Sequence, residues 1–192
     1  MVVGVLALQG AFREHRLVLE RLGAEVREVR LPKHLDGLAG VVIPGGESTT
    51  MMKLIKAYDL DTSLAKFYGE GGAVWGTCAG AIAIASDVIA YPEQPRLGLM
   101  NIGIERNAYG RQVDSFEVEV EVDGFERPFP TIFIRAPRIA WVSPELKVLA
   151  SFADYPIMVE GKRLLATVFH PELSGDDRVH AYFIEHIVRG GL

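Results

Sequence analysis

Residues 72–85 read GAVWGTCAGAIAIA, and the fold turns on how this stretch divides. Ala73–Trp75 is short, apolar and led in by glycine, the pattern of a strand buried on both faces. Ala79–Ser86 is a run of small and aliphatic residues suited to a helix. Between them stands Cys78, the single cysteine of 192 residues, with Gly76 and Gly80 two positions to either side. Strand, sharp turn and helix in that order predict a βα unit with a thiol at its turn.

Outward from this unit the same alternation continues. VVGVLAL (Val2–Leu8) and GVVIP (Gly40–Pro44) are fully apolar and read as central strands, and EVREVR as another. Ala11, His15, Val18, Leu19 and Leu22 form the stripe of an amphipathic helix that Gly23 stops. PGGESTTMMKLIKAY opens as a glycine turn and becomes a helix with Ser48 or Thr49 as its cap. Residues 61–69 suit a further helix. This β-α order predicts a mostly parallel sheet with helices on both faces. The second half differs. Residues 91–113 are rich in Pro, Gly, Arg and Asn and read as a long irregular segment. SFEVEVEV (Ser115–Val122) alternates strictly. TIFIR, RIAWV, KVLASF and PIMVE read as short strands added antiparallel to the sheet. LLATVF (Leu164–Phe169) is again fully apolar and central, and the end is a helix capped by Ser174.

Composition narrows the function. With 20 basic and 25 acidic residues the formal charge is −5, which argues against broad nucleic-acid binding. Hydrophobic residues make up 49% and charged ones 23%, a globular composition for which a single domain over 1–192 is expected. A lone cysteine forms no internal disulfide. The start, MVVGVLALQG, lacks a basic leader and reads as a buried strand rather than a signal peptide. No apolar run reaches the roughly 18 residues of a membrane span. The expected location is the cytoplasm, with no membrane partner.

Cys78 has two readings: a small buried hydrophobe, or a nucleophile thrust out by a tight strand–helix turn, with sulfur in place of the serine oxygen of G-x-S-x-G. In the second the following helix points its amide end at the thiol and favours the anion. A thiolate needs a base, and the base an orienting partner. Of five histidines, His15 and His186 fall on helical stripes and read as packed residues, and His34 lies in a loop. His180 has no partner suggested by spacing, and its six-residue distance from His186 does not suit metal ligands; no metal site is expected. His170 leaves the carboxyl end of a central strand, where open α/β sheets bind ligands. Pro171 stiffens its turn and Glu172 can reach back to the imidazole. In VVIPGGEST the Walker lysine and GxGxxG are both missing. Its glycines suit an oxyanion hole, with the N–H of Gly46 joining that of Ala79.

LALQGAFREH, PGGESTTM, GTCAG, FIRAP and HPEL, in that order, resemble the class I glutamine amidotransferase family. Within it they are most similar to the glutaminase subunits of pyridoxal 5′-phosphate synthase. The resemblance runs from residue 2 to the final helix; Ala81 departs from it, standing where a bulkier apolar residue is usual. It implies a three-layer, flavodoxin-like open sheet and hydrolysis of L-glutamine to glutamate and ammonia. The catalytic positions fall on Cys78, His170 and Glu172, the oxyanion positions on Gly46 and Ala79. The substrate positions fall on Gly46, Glu47, Ser48, Arg106, Ile134 and Arg135. A guanidinium can pair the α-carboxylate of glutamine, and Glu47 its α-ammonium. The implied partner is a (β/α)₈-barrel synthase subunit that receives the ammonia, so pyridoxal phosphate is a product and no cofactor is expected here. Gln9, beside the oxyanion loop, is expected to move when that partner docks. Three rivals compete. Peptidase and chaperone-like relatives place histidine directly after the cysteine, where this chain has Ala79. The histidine-pathway glutaminases fit PGGEST and LALQG less well. A scaffold with a decayed site would have lost one of Cys78, His170 and Glu172.

Overall fold

Apolar runs become the centre of a sheet. In the computed structural model, which describes residues 1–106, 108 and 115–190, the first half folds as β1 (Val2–Leu6), α1 (Phe12–Arg21), β2 (Glu25–Val29), β3 (Gly40–Ile43), α2 (Ser48–Ala57), α3 (Leu60–Gly69), β4 (Ala73–Thr77) and α4 (Ala79–Ile84). Strands β5 (Ala85–Ile89), β6 (Met100–Glu105), β7 (Ser115–Val120), β8 (Phe129–Ile134), β9 (Arg138–Val142), β10 (Lys147–Phe152), β11 (Tyr155–Gly161) and β12 (Leu164–Thr167) follow. The chain closes with α5 (Arg178–Tyr182), which runs on as a π-helix through Phe183–Arg189.

The main sheet has the order β10-β11-β12-β4-β3-β1-β2. The five strands β12, β4, β3, β1 and β2 are mutually parallel, and β11 and β10 continue antiparallel at one edge. Every residue of β3, β4 and β12 is buried, which is why these segments carry no polar alternation. Side chains of β4 leave the sheet on alternate faces. Trp75 meets His180 and Phe183 at ring distances of 4.8 and 5.3 Å, whereas Gly76 backs onto the first turn of α4. Thus α1 and the C-terminal helix cover one face, and α4, with α2 packed on it, the other.

Several sequence expectations change. The helix after Cys78 stops at Ile84, and Ala85–Ile89 pairs in parallel with β6, itself inside the segment expected to be irregular. Residues 107 and 109–113 of that segment lie outside the described residues. Of the four short strands expected to extend the sheet antiparallel, β10 and β11 do so. The other two form smaller sheets, β8 with β7 and β9 with β6. Ser174 closes the turn after Glu172 instead of capping the last helix; there Asp176 Oδ1 accepts from the Arg178 N–H at 3.0 Å. His186 is exposed and stacks on Tyr182 rather than packing inside.

Candidate active site

Two chain crossings hold the thiol at the carboxyl end of the sheet. Cys78 donates its backbone N–H to Thr167 O at the end of β12, 2.8 Å away, and its carbonyl accepts from Ile82 N in α4. Its backbone sits at φ 49°, ψ −103°, outside the regions comfortable for a residue with a Cβ. The flanking glycines explain themselves here. A Cβ on Gly80 would lie 1.9 Å from Ile43 O, and one on Gly76 2.4 Å from Gly80 O. Both backbone approaches close only without side chains.

His170 follows β12, and its N–H donates to Ile132 O of β8 at 2.8 Å. Nδ1 stands 2.8 Å from Glu172 Oε1, so the ring donates there and presents its other nitrogen to the cleft. A Cβ on Gly45 would touch both His170 Cε1 (2.5 Å) and Cys78 Cβ (3.4 Å), which brings imidazole and thiol to one point. Burial opposes charge on His170, but hydrogen bonds and charge from Cys78 and Glu172 outweigh it and raise its pKa to about 10. Glu172 has a fully buried side chain. Burial works against its ionised form, and His15 followed by His170 hold it below its ordinary range.

In front of the thiol opens a cavity of about 380 Å³. Gly46, Glu47, Ser48, Arg106, Ile134 and Arg135 all line it, together with Cys78, Ala79 and His170. Every substrate and catalytic position expected from sequence, apart from Glu172 behind the ring, meets there. Ile134 O lies 4.0 Å from Cys78 Sγ. Arg106 donates to Gln94 Oε1 at 2.6 Å and stands 3.7 Å from Glu47. Gln94, which sequence reasoning passed over, also reaches Ser48 Oγ at 3.3 Å and so ties arginine and loop together. Gln9 packs on Gly46, its Oε1 accepting the Glu47 N–H at 3.3 Å while its buried Nε2 has no hydrogen-bond partner among the described residues. Among those residues no group of three or more His, Cys, Asp or Glu is placed to hold a metal ion. No helix among them is long and apolar enough to cross a membrane.

Glu47, not Ser48 or Thr49, caps α2. Its carboxylate accepts the N–H groups of Thr49 (3.0 Å) and Thr50 (2.7 Å). The Thr50 hydroxyl, with these amides, lowers its pKa to about 2 against a slight opposing burial. A depressed carboxyl stabilises the fold above its unfolded value and loses that contribution as pH falls through the folded one. Glu47→Ala is therefore expected to cost about 1 kcal/mol at pH 7. Thermal unfolding of the two proteins should differ at pH 7 and converge near pH 2.

A family model described as the SNO glutamine amidotransferase family matches residues 5–189. The chain belongs to that family. This amidotransferase is 54% identical over 188 residues to a pyridoxal 5′-phosphate synthase subunit PdxT of Deinococcus radiodurans, with 96% of each chain covered. A protein of the same name from Thermus thermophilus is 51% identical over 185 residues, again with 96% of each covered. Among solved structures, one described as a glutamine amidotransferase superposes with a TM-score of 0.92 at 50% identity, covering 96% of this chain and 98% of its own. A glutamine amidotransferase of Thermotoga maritima shares the fold at 13% identity and a TM-score of 0.61, covering 98% of this chain and 84% of its own. The family makes this chain an enzyme that takes the amide nitrogen of glutamine.

Proposed function

We propose that this chain hydrolyses L-glutamine through a Cys78–His170–Glu172 triad and supplies the ammonia to the synthase subunit of a pyridoxal 5′-phosphate synthase. The observation that carries the reading is the cavity that gathers thiol, imidazole and the polar substrate positions at the carboxyl end of the parallel strands. Cys78 sulfur attacks the side-chain carboxamide carbon, and the N–H groups of Gly46 and Ala79 hold the oxyanion. His170 takes the proton that leaves the sulfur and gives it to the departing ammonia, leaving a γ-glutamyl thioester. It then takes a proton from water, whose oxygen displaces the sulfur to release glutamate. Glu172 keeps the ring oriented throughout. Arg106 and Arg135 face the α-carboxylate of the substrate, and Glu47 its α-ammonium.

The partner in this reading is a (β/α)₈-barrel synthase subunit, and Gln9 links its docking to the site. Gln9 holds the Glu47 N–H and fills the space against Gly46, so shifting it frees the oxyanion loop to rearrange. The isolated chain is expected to release ammonia from glutamine at least about tenfold more slowly than with the partner, the effect of roughly half an oxyanion donor. Ammonia release measured with and without that subunit tests the reading. Equal turnover in both would sink the activation step; none in either, with Cys78 inert to a glutamine-like electrophile, would sink the triad.

A further inference from the structure

Behind the triad lies a buried polar chain that the proposed mechanism does not use. Glu172 Oε2, facing away from His170, has no conventional hydrogen-bond partner among the described residues, yet His15 Nε2 of α1 stands 3.3 Å from it. The same nitrogen lies 3.2 Å from Thr77 Oγ1 at the end of β4. On the other side of the ring, His15 Nδ1 meets His180 Nε2 of α5 at 2.9 Å. Both imidazoles are fully buried and pack on the Trp75 indole.

Hydrogen-bond accounting favours one set of proton positions. Two ring nitrogens 2.9 Å apart require one N–H between them. If His15 Nδ1 carried it, His15 Nε2 would turn a lone pair toward a carboxylate oxygen. His180 would then bear its own proton on Nδ1, a buried atom with no partner among the described residues, and an orphaned buried donor is costly. If His180 Nε2 carries the shared proton, the clash of lone pair with carboxylate is removed, and the unpaired buried atom of His180 is an acceptor rather than a donor. His15 then has Nε2–H on Thr77 Oγ1 at 3.2 Å with Glu172 Oε2 3.3 Å from the same nitrogen, and His180 Nδ1 is left as a bare acceptor. Burial lowers the affinity of both rings for a second proton, against the pull of Glu172 on His15 and with the added opposition of His15 and then Arg21 on His180. Both are neutral at pH 7.

We infer that His15 is a positioning residue for glutamine hydrolysis, its Nε2–H holding the Glu172 carboxylate ionised and oriented for His170, with His180 fixing the His15 tautomer. The inference rests on the triad proposed above. The titratable groups facing this chain are His170 on Glu172, Glu14 and His170 on His15, and Arg21 on His180. None of the others offers Glu172 Oε2 a donor.

The test contrasts His15→Asn with His15→Gln. Asparagine keeps a polar atom on the Nδ1 side and lacks reach to Glu172, whereas glutamine extends an N–H to the Nε2 position. Each is assayed for ammonia release from glutamine with the synthase partner across pH. His15→Asn is expected to lower kcat about tenfold, leave KM within about twofold, and move the acid limb of the kcat profile upward by about one unit. His15→Gln should recover most of kcat and return the limb. Equal profiles for wild type and His15→Asn would overturn the inference, as would a His15→Gln variant equally slow with an unmoved limb. A variant-free measurement stands beside these: ¹⁵N spectra of histidine-labelled wild type should show His15 and His180 as Nε2–H tautomers. An Nδ1–H His15 overturns the inference even where the variants do not fold. A wild type that releases no ammonia and keeps Cys78 unlabelled would instead sink the triad, leaving the tautomer to be read separately.

Discussion

Replacing Cys78 by alanine is expected to reduce ammonia release from glutamine by roughly 10⁴-fold or more, to the floor of the assay. The proposed nucleophile has no substitute, because Cys78 is the only cysteine in the chain and water alone gains just what binding and the oxyanion donors provide. The same position carries a second expectation, on stability. Its φ of 49° with ψ of −103° is a conformation that costs a residue with a Cβ about 1–3 kcal/mol. Cys78→Gly should therefore be more stable than Cys78→Ala by about 1 kcal/mol, once the greater freedom of glycine in the unfolded chain is subtracted. Both variants should be dead as enzymes. Denaturant unfolding of the pair separates strain from chemistry: if alanine proves as stable as glycine, the turn holds no strain, and if either turns over glutamine, Cys78 is not the nucleophile.

That strain is where local sequence logic breaks down for a purpose. The strands VVGVLAL, GVVI and LLAT were legible as central because a strand buried on both faces has no polar alternation, and these occupy the middle of the parallel sheet. The end of α4 was not legible. Ala85 extends a run of good helix formers, yet pairing with Met100 in β6 draws it into a strand. β8 folds back on the neighbouring β7, but β9 pairs with the distant β6, and no local pattern encodes that. The site divides in the same way. Cys78, His170 and Glu172 stood out because chemistry demands those residue types at strand ends. Arg106, Ile134 and Arg135 carry no such mark, and only resemblance to a family pointed to them. His15 is buried as its helical stripe predicts, and it is hydrogen-bonded there to His180 and Thr77. Its partners lie 62 to 165 positions away, and a helical stripe records burial without saying what a buried imidazole must bond to. The general rule that buried polar groups are paired was the available signal.

Gly80→Ala should cause a large loss of stability for a single methyl group added near the site. Its Cβ would sit 1.9 Å from Ile43 O and 3.2 Å from Ile43 Cβ, and the first contact is with backbone that no rotamer change can relieve. Either the end of β3 or the first turn of α4 must move. Overpacking of this kind costs about 3 kcal/mol, which for a domain of this size lowers the melting temperature by roughly 6–12 °C. The displacement also bears on chemistry, since β3 leads through Pro44 into the Gly45–Gly46 loop and α4 begins one residue after the thiol. Activity should thus fall further than the unfolded fraction accounts for. Gly69→Ala provides the contrast: Gly69 ends α3, has an ordinary φ, and a Cβ there meets nothing within 4 Å. Alanine is the better helix former by about 1 kcal/mol, so this variant should be as stable as wild type or more so, with unchanged turnover. Thermal unfolding of the two variants side by side decides the matter. A Gly80→Ala protein that melts with wild type would mean that β3 and α4 do not approach as closely as the nucleophile turn requires, and the geometry that exposes Cys78 would have to be rebuilt from its foundation.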